Sequence, residues 1–429
     1  MKVFPLTLIS YILLLCNSLF AQNDSIHSSQ KPDTVLKASP PALVLAPKKD
    51  SVTTLVSKAK GWFENFSIRG YVQARYNRLL ETNPDLKCEQ CDKSWGKDGG
   101  FFLRRIRIIF YGQINKRVYF YIQPDFASSA SSTGLHFAQI RDAYFDIGLD
   151  DNNEFRFRIG QSKVPYGFEN MQSSQNRLPL DRNDALNSAL SNERDLGVFF
   201  YWAPKKIRKR FSMLVKEGYK GTGDYGVFAI GAYNGQTANK PELNNEQHVV
   251  SRLSYPFQIG SQIIEPGVQA YTGNYVIPTE NLTKGVKTNK DLNYLDQRMA
   301  GTLVWYPKPI GLQAEYNVGR GPQFNKLTDS IEVMDLYGGY ATLNAKIAIK
   351  KQLLYPFIRA QMYKGGKKHE KDARSYEVKE IEFGLEWEPS KNFEIVAMYT
   401  MSERRFEDFA KKDNFQAGNL LRLQAQINF

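Results

Sequence analysis

Cysteine and histidine are scarce in this sequence of 429 residues, with three and four copies. Enzymes that use a nucleophile place a base beside it, most often histidine. None of His27, His136, His248 and His369 belongs to a recognisable Ser/His/acid grouping, and no glycine-rich phosphate loop or metal-ligand spacing is present. We therefore expect no enzymatic activity, no metal site and no cofactor.

Long apolar runs are missing as well, apart from one at the N-terminus. A membrane protein built from helices needs runs of about 18 or more apolar residues, and the mean hydropathy here is −0.45. Residues 1–21 form the comparable run, in which Lys2 precedes an apolar stretch that ends at Ala21. This pattern predicts a signal peptide cut after Ala21. Cys16 does not indicate a lipid anchor, because Leu15 stands where lipoprotein signals have a small residue.

After the signal peptide only Cys88 and Cys91 remain, in the sequence Cys-Glu-Gln-Cys. In a secreted chain this spacing favours a local disulfide in an exposed loop. Structural zinc needs about four ligands, and neither a nearby histidine nor a second cysteine pair supplies them.

The formal net charge is +13. Nucleic acid is not expected as a partner, because no basic cluster is interleaved with aromatic residues. Attraction of anions, either a permeating solute or the phosphates of outer-membrane lipid, agrees better with this charge. Residues 22–65, rich in serine, proline, lysine and aspartate, predict a flexible periplasmic arm in which 51–61 can form a short helix.

From residue 66 to 429 the sequence alternates between apolar and polar residues. In 421–429 every odd position is apolar and every even position polar, and the segment ends on an aromatic residue. Such a strand has one apolar and one polar face, as in the closing strand of an outer-membrane barrel. Similar segments predict an all-β, antiparallel transmembrane barrel of about sixteen strands, an even number as such barrels require. The predicted strands are 66–77, 101–113, 117–127, 138–148, 154–162, 196–203, 224–233, 248–256, 266–275, 297–306, 311–319, 337–347, 353–363, 378–388, 393–401 and 419–429.

The connections between these strands alternate in length. Long connections such as 163–195, 276–296, 320–336, 364–377 and 402–418 are expected outside the cell, and the short turns in the periplasm. Residues 203–223 are the exception, either as an enlarged periplasmic turn or as a sign that the strand count slips there.

The two faces of the strands differ in chemistry. One face carries apolar rows such as Ile106-Ile108-Phe110, and a charge facing lipid at the membrane midplane costs roughly 2–4 kcal/mol, so the charged face must point inward. A polar row on strand after strand predicts a water-filled lumen. Early strands contribute arginines and late strands Glu380, Glu382 and Glu386. Opposed signs across a pore would create a transverse field, unless these groups simply pair.

Several segments resemble the phosphate-selective porin O and P family. They are Phe102-Leu-Arg-Arg-Ile-Arg-Ile-Ile-Phe-Tyr-Gly112, Ile140-Arg-Asp-Ala-Tyr-Phe-Asp146, Phe157-Arg-Ile-Gly-Gln-Ser-Lys-Val-Pro-Tyr-Gly-Phe-Glu169, Glu193-Arg-Asp-Leu-Gly197 and the terminal Phe429. The resemblance covers about 66–429. It implies a sixteen-stranded barrel of the bacterial outer membrane, usually a homotrimer, but it does not carry the substrate. We expect a porin that passes small hydrophilic solutes by diffusion, anions such as phosphate among them, and the acidic residues of the late strands oppose a strong anion selectivity.

In such porins the third external loop folds into the barrel and narrows the pore, which here corresponds to residues 162–195. We expect arginine and lysine side chains to attract the anion there and on the early strands, because arginine binds phosphate or carboxylate through paired donors. The same cations could instead pin the loop to the wall. The candidate pore-lining and anion-binding residues are Arg105, Arg107, Arg156, Arg158, Lys163, Arg177, Arg182 and Arg194. The alternative function is a non-conducting barrel with a structural, adhesion or partner-docking role.

Overall fold

The computed structural model describes residues 65–89, 91, 95–96, 99–127 and 137–429. The described chain contains eighteen strand segments in one closed antiparallel sheet, and two of these segments continue a strand after a short break, which leaves sixteen strands. Each strand pairs with its neighbours in sequence. In chain order, β1 to β16 are Phe66–Tyr76, Phe101–Gln113, Val118–Asp125, Gln139–Gly148, Phe155–Lys163, Arg194–Trp202, Phe228–Tyr233, His248–Ser254, Gln262–Val276, Asn293–Trp305, Ile310–Asn325, Ser330–Ala345, Gln352–Gly366, Ser375–Ser390, Phe393–Glu407 and Phe415–Asn428. The continuations are Phe257–Ile259 after β8 and Ile347–Ile349 after β12.

The barrel closes where β1 pairs with β16, with Tyr71 opposite Asn428. Gly70 and Phe429 extend this pairing with two backbone hydrogen bonds of 2.8 and 3.0 Å. A Cβ atom on Gly70 would lie 2.6 Å from the carbonyl oxygen of Arg107 and 2.5 Å from the ring of Phe429. The missing side chain at Gly70 therefore lets the strands and the aromatic ring come together at the closure.

Every predicted strand overlaps an observed one, but the late strands are longer than predicted. Residues 320–336 were expected to be a long loop, and this is wrong, because β11 and β12 pair from Asn325 and Ser330 onward and leave only 326–329 as a turn. Glycine, proline and charged residues suggested a loop there, yet backbone pairing between adjacent strands does not depend on apolar side chains. Likewise β15 extends to Glu407 and β16 begins at Phe415.

The exceptional connection 203–223 contains a helix, and the strand count does not slip there. Helix α3 spans Lys205–Lys216 and buries Ile207, Phe211 and Leu214, which lie on one face at helical spacing. Two shorter helices, α1 (Phe168–Met171) and α2 (Asp184–Ala189), lie between β5 and β6. None of the helices in the described residues is long and apolar enough to cross a bilayer.

The distribution of side chains is the reverse of that in a soluble protein. Large apolar residues such as Phe383 and Leu385 are over 40% exposed on the outer face, whereas the neighbouring Glu382 and Glu386 are buried. Outward apolar and inward polar rows suit a barrel surrounded by lipid. The signal peptide (1–21) and nearly all of the arm (22–65) lie outside the described residues, so both stay predictions.

Candidate solute pathway

Loop 3, defined here as residues 164–193, joins β5 to β6 and is almost entirely buried. In α2, the Asn183 side chain accepts a hydrogen bond of 3.1 Å from the backbone N–H of Leu186, which is a typical N-cap. Glu193 ends the loop with a positive φ of 68°. A polar segment this deeply buried needs many partners, and these partners identify where the loop lies.

Four of the predicted cations surround Glu193. Its carboxylate lies 3.5 Å from Lys163 Nζ, 3.5 Å from Arg177 Nη1 and 3.2 Å from Arg182 Nε, and it also accepts a hydrogen bond from Arg194. Burial alone would raise the pKa of Glu193, but these cations hold it well below its ordinary value. Arg177 and Arg182 therefore fix the end of loop 3, as in the pinning alternative.

The middle of loop 3 contacts strands far from β5 around the barrel. Three loop carboxylates bind one buried arginine each on β13, β15 and β16. The pairs are Glu169–Arg359 at 2.7 Å, Asp184–Arg404 at 2.7 Å and Asp181–Arg422 at 2.5 Å. These pairs exclude water, because both partners in each are at least nine-tenths buried.

Asp184 also binds Lys367, which lies between β13 and β14. Burial would raise the pKa of Asp184, but Arg404 and Lys367 lower it to about 2. Arg298 on β10 donates to the hydroxyl of Ser188 at 2.6 Å and to its carbonyl oxygen at 3.0 Å, at the end of α2. Contacts from β10, β15 and the connection between β13 and β14 thus hold this one helix.

The glutamates of the late strands are paired as well. Glu380 binds Arg404 at 2.8 Å, Glu382 binds Arg359, and Glu386 binds Lys220 from the segment after α3. Of the two alternatives left open by the sequence, pairing therefore accounts for these three residues.

A cavity of about 580 Å³ lies beside the early strands, and Arg156, Arg158, Lys163 and Arg194 line it. This cationic cavity extends from loop 3 to α3. Its charged lining also includes Arg69, Arg117 and Arg208, against the carboxylates of Asp142, Asp146 and Asp224. Four tyrosines also line the cavity, namely Tyr119, Tyr121, Tyr144 and Tyr225.

Most cations of this cavity already have carboxylate partners. Arg158 donates two hydrogen bonds of 2.8 and 2.9 Å to Asp146, a bidentate pair. Arg156 lies 2.9 Å from Asp224, and Arg194 lies 3.0 Å from Asp142. Arg117 pairs with the exposed Asp151, which does not line the cavity.

Arg69 is different, since no carboxylate of the described residues lies within 4.0 Å of it and it stacks on the ring of Tyr111 at 5.3 Å. Seven cations and three carboxylates line the cavity. Two further carboxylates, Glu193 and Asp151, pair with lining cations from outside it, so the cations still outnumber the carboxylates and the cavity keeps a cationic surplus.

Arg105 and Arg107 do not line this cavity. Arg107 pairs with Asp125 at 2.7 Å. Arg105 donates to Gln73 at 2.8 Å, and within the described part of the chain its Nε has no hydrogen-bond partner and no carboxylate is within ion-pair distance. A register shift at Gln73 accompanies the adjacent Arg104 and Arg105, as at a β-bulge, which can re-aim a side chain.

Sequence reasoning placed Arg404 in a loop, because 402–418 looked like a connection, whereas it lies on β15 and points inward. Arg69 could have been found from the alternation of β1. Arg208 could not have been found from the sequence, since the sequence did not decide the structure of residues 203–223. The sulfur atoms of Cys88 and Cys91 are 2.05 Å apart, in a disulfide in the connection between β1 and β2. The side chain of Cys88 is buried, whereas the neighbouring Lys87 and Glu89 are exposed.

The chain is similar to known outer-membrane proteins. The family model "Phosphate-selective porin O and P" matches residues 85–429. The channel DcaP of Acinetobacter baumannii has 14% identity and a TM-score of 0.52, with 85% of this chain and 97% of that chain covered. OmpF of Salmonella typhi, in complex with daunomycin, has 15% identity and a TM-score of 0.51, with 85% of this chain and 98% of that chain covered. OmpT of Vibrio cholerae has 10% identity and a TM-score of 0.51, with 85% of this chain and 97% of that chain covered. These likenesses show the fold. No curated protein sequence matches the chain.

Proposed function

The chain belongs to the phosphate-selective porin O and P family and is a porin of the bacterial outer membrane, and from this premise we propose that it passes small hydrophilic anions, phosphate among them, by passive diffusion. The cationic surplus of the cavity carries the proposal. A cleft lined by one sign of charge concentrates ions of the opposite sign. The solute crosses down its gradient without covalent chemistry. Because most lining arginines are already paired, binding is weak, as conduction requires.

We propose further that loop 3 crosses the lumen and sets the size limit of the channel. Its ion pairs with Arg359, Arg404 and Arg422 support this, because β5 and β13 lie on opposite sides of a sixteen-stranded barrel. The short-turn end of the barrel, which also includes Phe66 and Phe429, would face the periplasm. The cationic cavity would then lie on the periplasmic side of loop 3.

We also propose a homotrimer. Small residues on the outer face of β10 to β13 leave a shallow groove of about 610 Å³ between bulkier neighbours such as Leu303, Tyr316 and Met362. Small residues let a second wall approach closely. The groove is lined by Gly301, Ala314, Gly339, Ala341 and Ala360, among others. Ala341→Trp should convert a trimer in detergent into monomers by analytical ultracentrifugation, and Ala397→Trp on β15 is the control.

The reversal potential of single channels in a planar bilayer, under a gradient of potassium chloride or potassium phosphate, tests the anion preference. Wild type should favour anions. Arg69→Glu should move the potential toward cation preference, because it changes the charge of the cavity without leaving a carboxylate unpaired. Lys391→Glu, in the exposed turn between β14 and β15, makes the same change in net charge and should have no effect. A wild-type channel without anion preference would contradict the proposal.

Neutralising Arg156, Arg158, Lys163 and Arg194 together tests the residues predicted from the sequence. Removing Arg158, Lys163 and Arg194 also takes cations away from buried carboxylates, so refolding must be checked by the heat-dependent shift of the barrel on a gel. Unchanged selectivity of a folded quadruple variant would refute their role.

One observation favours the second candidate, a non-conducting barrel. Loop 3 is buried almost throughout and is bound to several strands at once, so it can also act as a permanent plug. A correctly folded barrel without any conductance would support this candidate over the porin.

A further inference from the structure

Tyrosines form a continuous row on the inner face of three neighbouring strands. Tyr111 on β2 lies opposite Tyr121 on β3, and Tyr121 lies opposite Tyr144 on β4. The ring centroids are 6.5 and 5.2 Å apart, and the second pair is stacked with an angle of 14° between the planes. Tyr119 is two residues before Tyr121 and so lies on the same face of β3. The result is an aromatic surface beside the charged side chains of the cationic cavity.

Two arginines lie over this row, and only one of them is available to a ligand. The guanidinium of Arg158 is 3.9 Å from the ring centroid of Tyr144, and its hydrogen bonds go to Asp146. Arg69 lies 5.3 Å from the ring centroid of Tyr111 and has no carboxylate partner among the described residues. Arg69 can therefore bind an incoming anion beside the tyrosines.

Arg69, Tyr119 and Tyr121 line the same cavity, of about 580 Å³. Pockets for organic ligands range from about 300 to 1,000 Å³. Inorganic phosphate fills a small part of such a space and has no apolar surface to bury against a ring. An organic acid with a planar ring satisfies both parts of the lining, since its carboxylate can reach an arginine and its ring can stack on a tyrosine.

We propose that this cavity is a binding site for aromatic carboxylates, in which the ring stacks on Tyr119 and Tyr121 and the carboxylate binds Arg69. This inference rests on the proposed function and narrows its substrate class, from small anions in general to planar organic anions. Inorganic phosphate would pass the cavity without being held by the tyrosines.

Isothermal titration of the refolded, detergent-solubilised protein tests this directly, because it does not depend on an open channel. The ligands are benzoate, cyclohexanecarboxylate and inorganic phosphate. Benzoate and cyclohexanecarboxylate have the same charge and similar size, and only benzoate has an aromatic ring. Benzoate should bind the wild type about two- to tenfold more tightly than cyclohexanecarboxylate, the range expected for one aromatic contact.

Three variants assign the contacts. Tyr119→Leu/Tyr121→Leu keeps an apolar side chain at both positions and should weaken benzoate about two- to tenfold, with no change for cyclohexanecarboxylate. Arg69→Gln should weaken both carboxylates. Tyr399→Leu, on the outer face of β15, is the matched control and should change neither.

Equal binding of benzoate and cyclohexanecarboxylate by the wild type would overturn the inference, as would an unchanged benzoate affinity in a folded Tyr119→Leu/Tyr121→Leu variant. Neither result bears on the proposed function, which the reversal potential tests separately. Benzoate preference in a protein without conductance would support the site and contradict the porin.

Discussion

Replacing Asp184 by asparagine should release loop 3 from the far side of the barrel. The substitution keeps the shape of the side chain and removes the charge that Arg404 and Lys367 share. Both cations are at most 1% exposed. Afterwards Arg404 keeps Glu380 at 2.8 Å, whereas the remaining carboxylate partner of Lys367 among the described residues is Glu370 at 3.8 Å.

The size of the effect follows from burial. Removing one partner of a buried ion pair costs about 3–5 kcal/mol, because a charge remains without compensation. The lower end applies here, since Arg404 retains a carboxylate. About 3 kcal/mol corresponds to a roughly hundredfold change in an equilibrium constant. The detached state of loop 3 should thus be populated about a hundredfold more often.

Single-channel recording should show this as more frequent transitions to a larger conductance, and urea unfolding in lipid vesicles should show lower stability. Asp151→Asn is the matched control, because it removes the partner of Arg117 in an exposed pair and such pairs contribute little. The double variant Asp184→Asn/Lys367→Gln should recover part of the stability, because it removes the cation that Asp184→Asn leaves with a distant carboxylate, while Glu370 keeps Arg374 at 3.4 Å. If Asp184→Asn behaves like Asp151→Asn in both assays, loop 3 is not held by this carboxylate and the reasoning fails.

Three further predictions concern pH, closure and the lipid face. The pKa of Asp184 in the folded protein is about 2, below its ordinary value of 3.8. The stability difference between wild type and Asp184→Asn should therefore be constant from pH 8 to about 5 and disappear as the pH falls through about 2. A stability difference that already shrinks between pH 8 and 6 would contradict this prediction. Gly70→Val should lower the folded fraction on a heat-modifiability gel, because a Cβ there meets a backbone carbonyl oxygen of β2 at 2.6 Å, whereas Gly301→Ala has open space and should fold normally. Phe383→Arg, on the lipid-facing side of β14, should cost about 2–4 kcal/mol in urea unfolding, and equal stability of Phe383→Arg and the turn control Asn392→Arg would place residue 383 away from lipid.

The barrel was predictable because each of its strands can be recognised from the residues of that strand alone. Alternation in a segment such as 378–388 states both that the segment is a strand and which face meets lipid, without reference to any distant residue. Alternation cannot show where a strand ends once it leaves the membrane, since apolar residues are no longer required there. For this reason Arg404 was assigned to a loop although it lies on β15.

The partners of the candidate site were not predictable. Asp184 and Arg404 are 220 residues apart, and Asp181 and Arg422 are 241 apart. A single sequence shows that loop 3 carries balanced charges but not which strand each charge meets. The sequence supplies the charged residue types, and only the structure divides them between pinning the loop and facing the cavity.

The pairing of β1 with β16 also constrains how the chain assembles. Gln73 and Gln426 are hydrogen-bonded across 353 residues, so the contact that completes the sheet is among the least local in the molecule, and such contacts form slowly. Until it forms, the sheet has two open edges with unpaired N–H and C=O groups. Open edges of this kind pair readily with other chains. A barrel in which β1 and β16 are not yet paired is thus more prone to aggregation than the closed one, and assembly factors would have to shield these two edges.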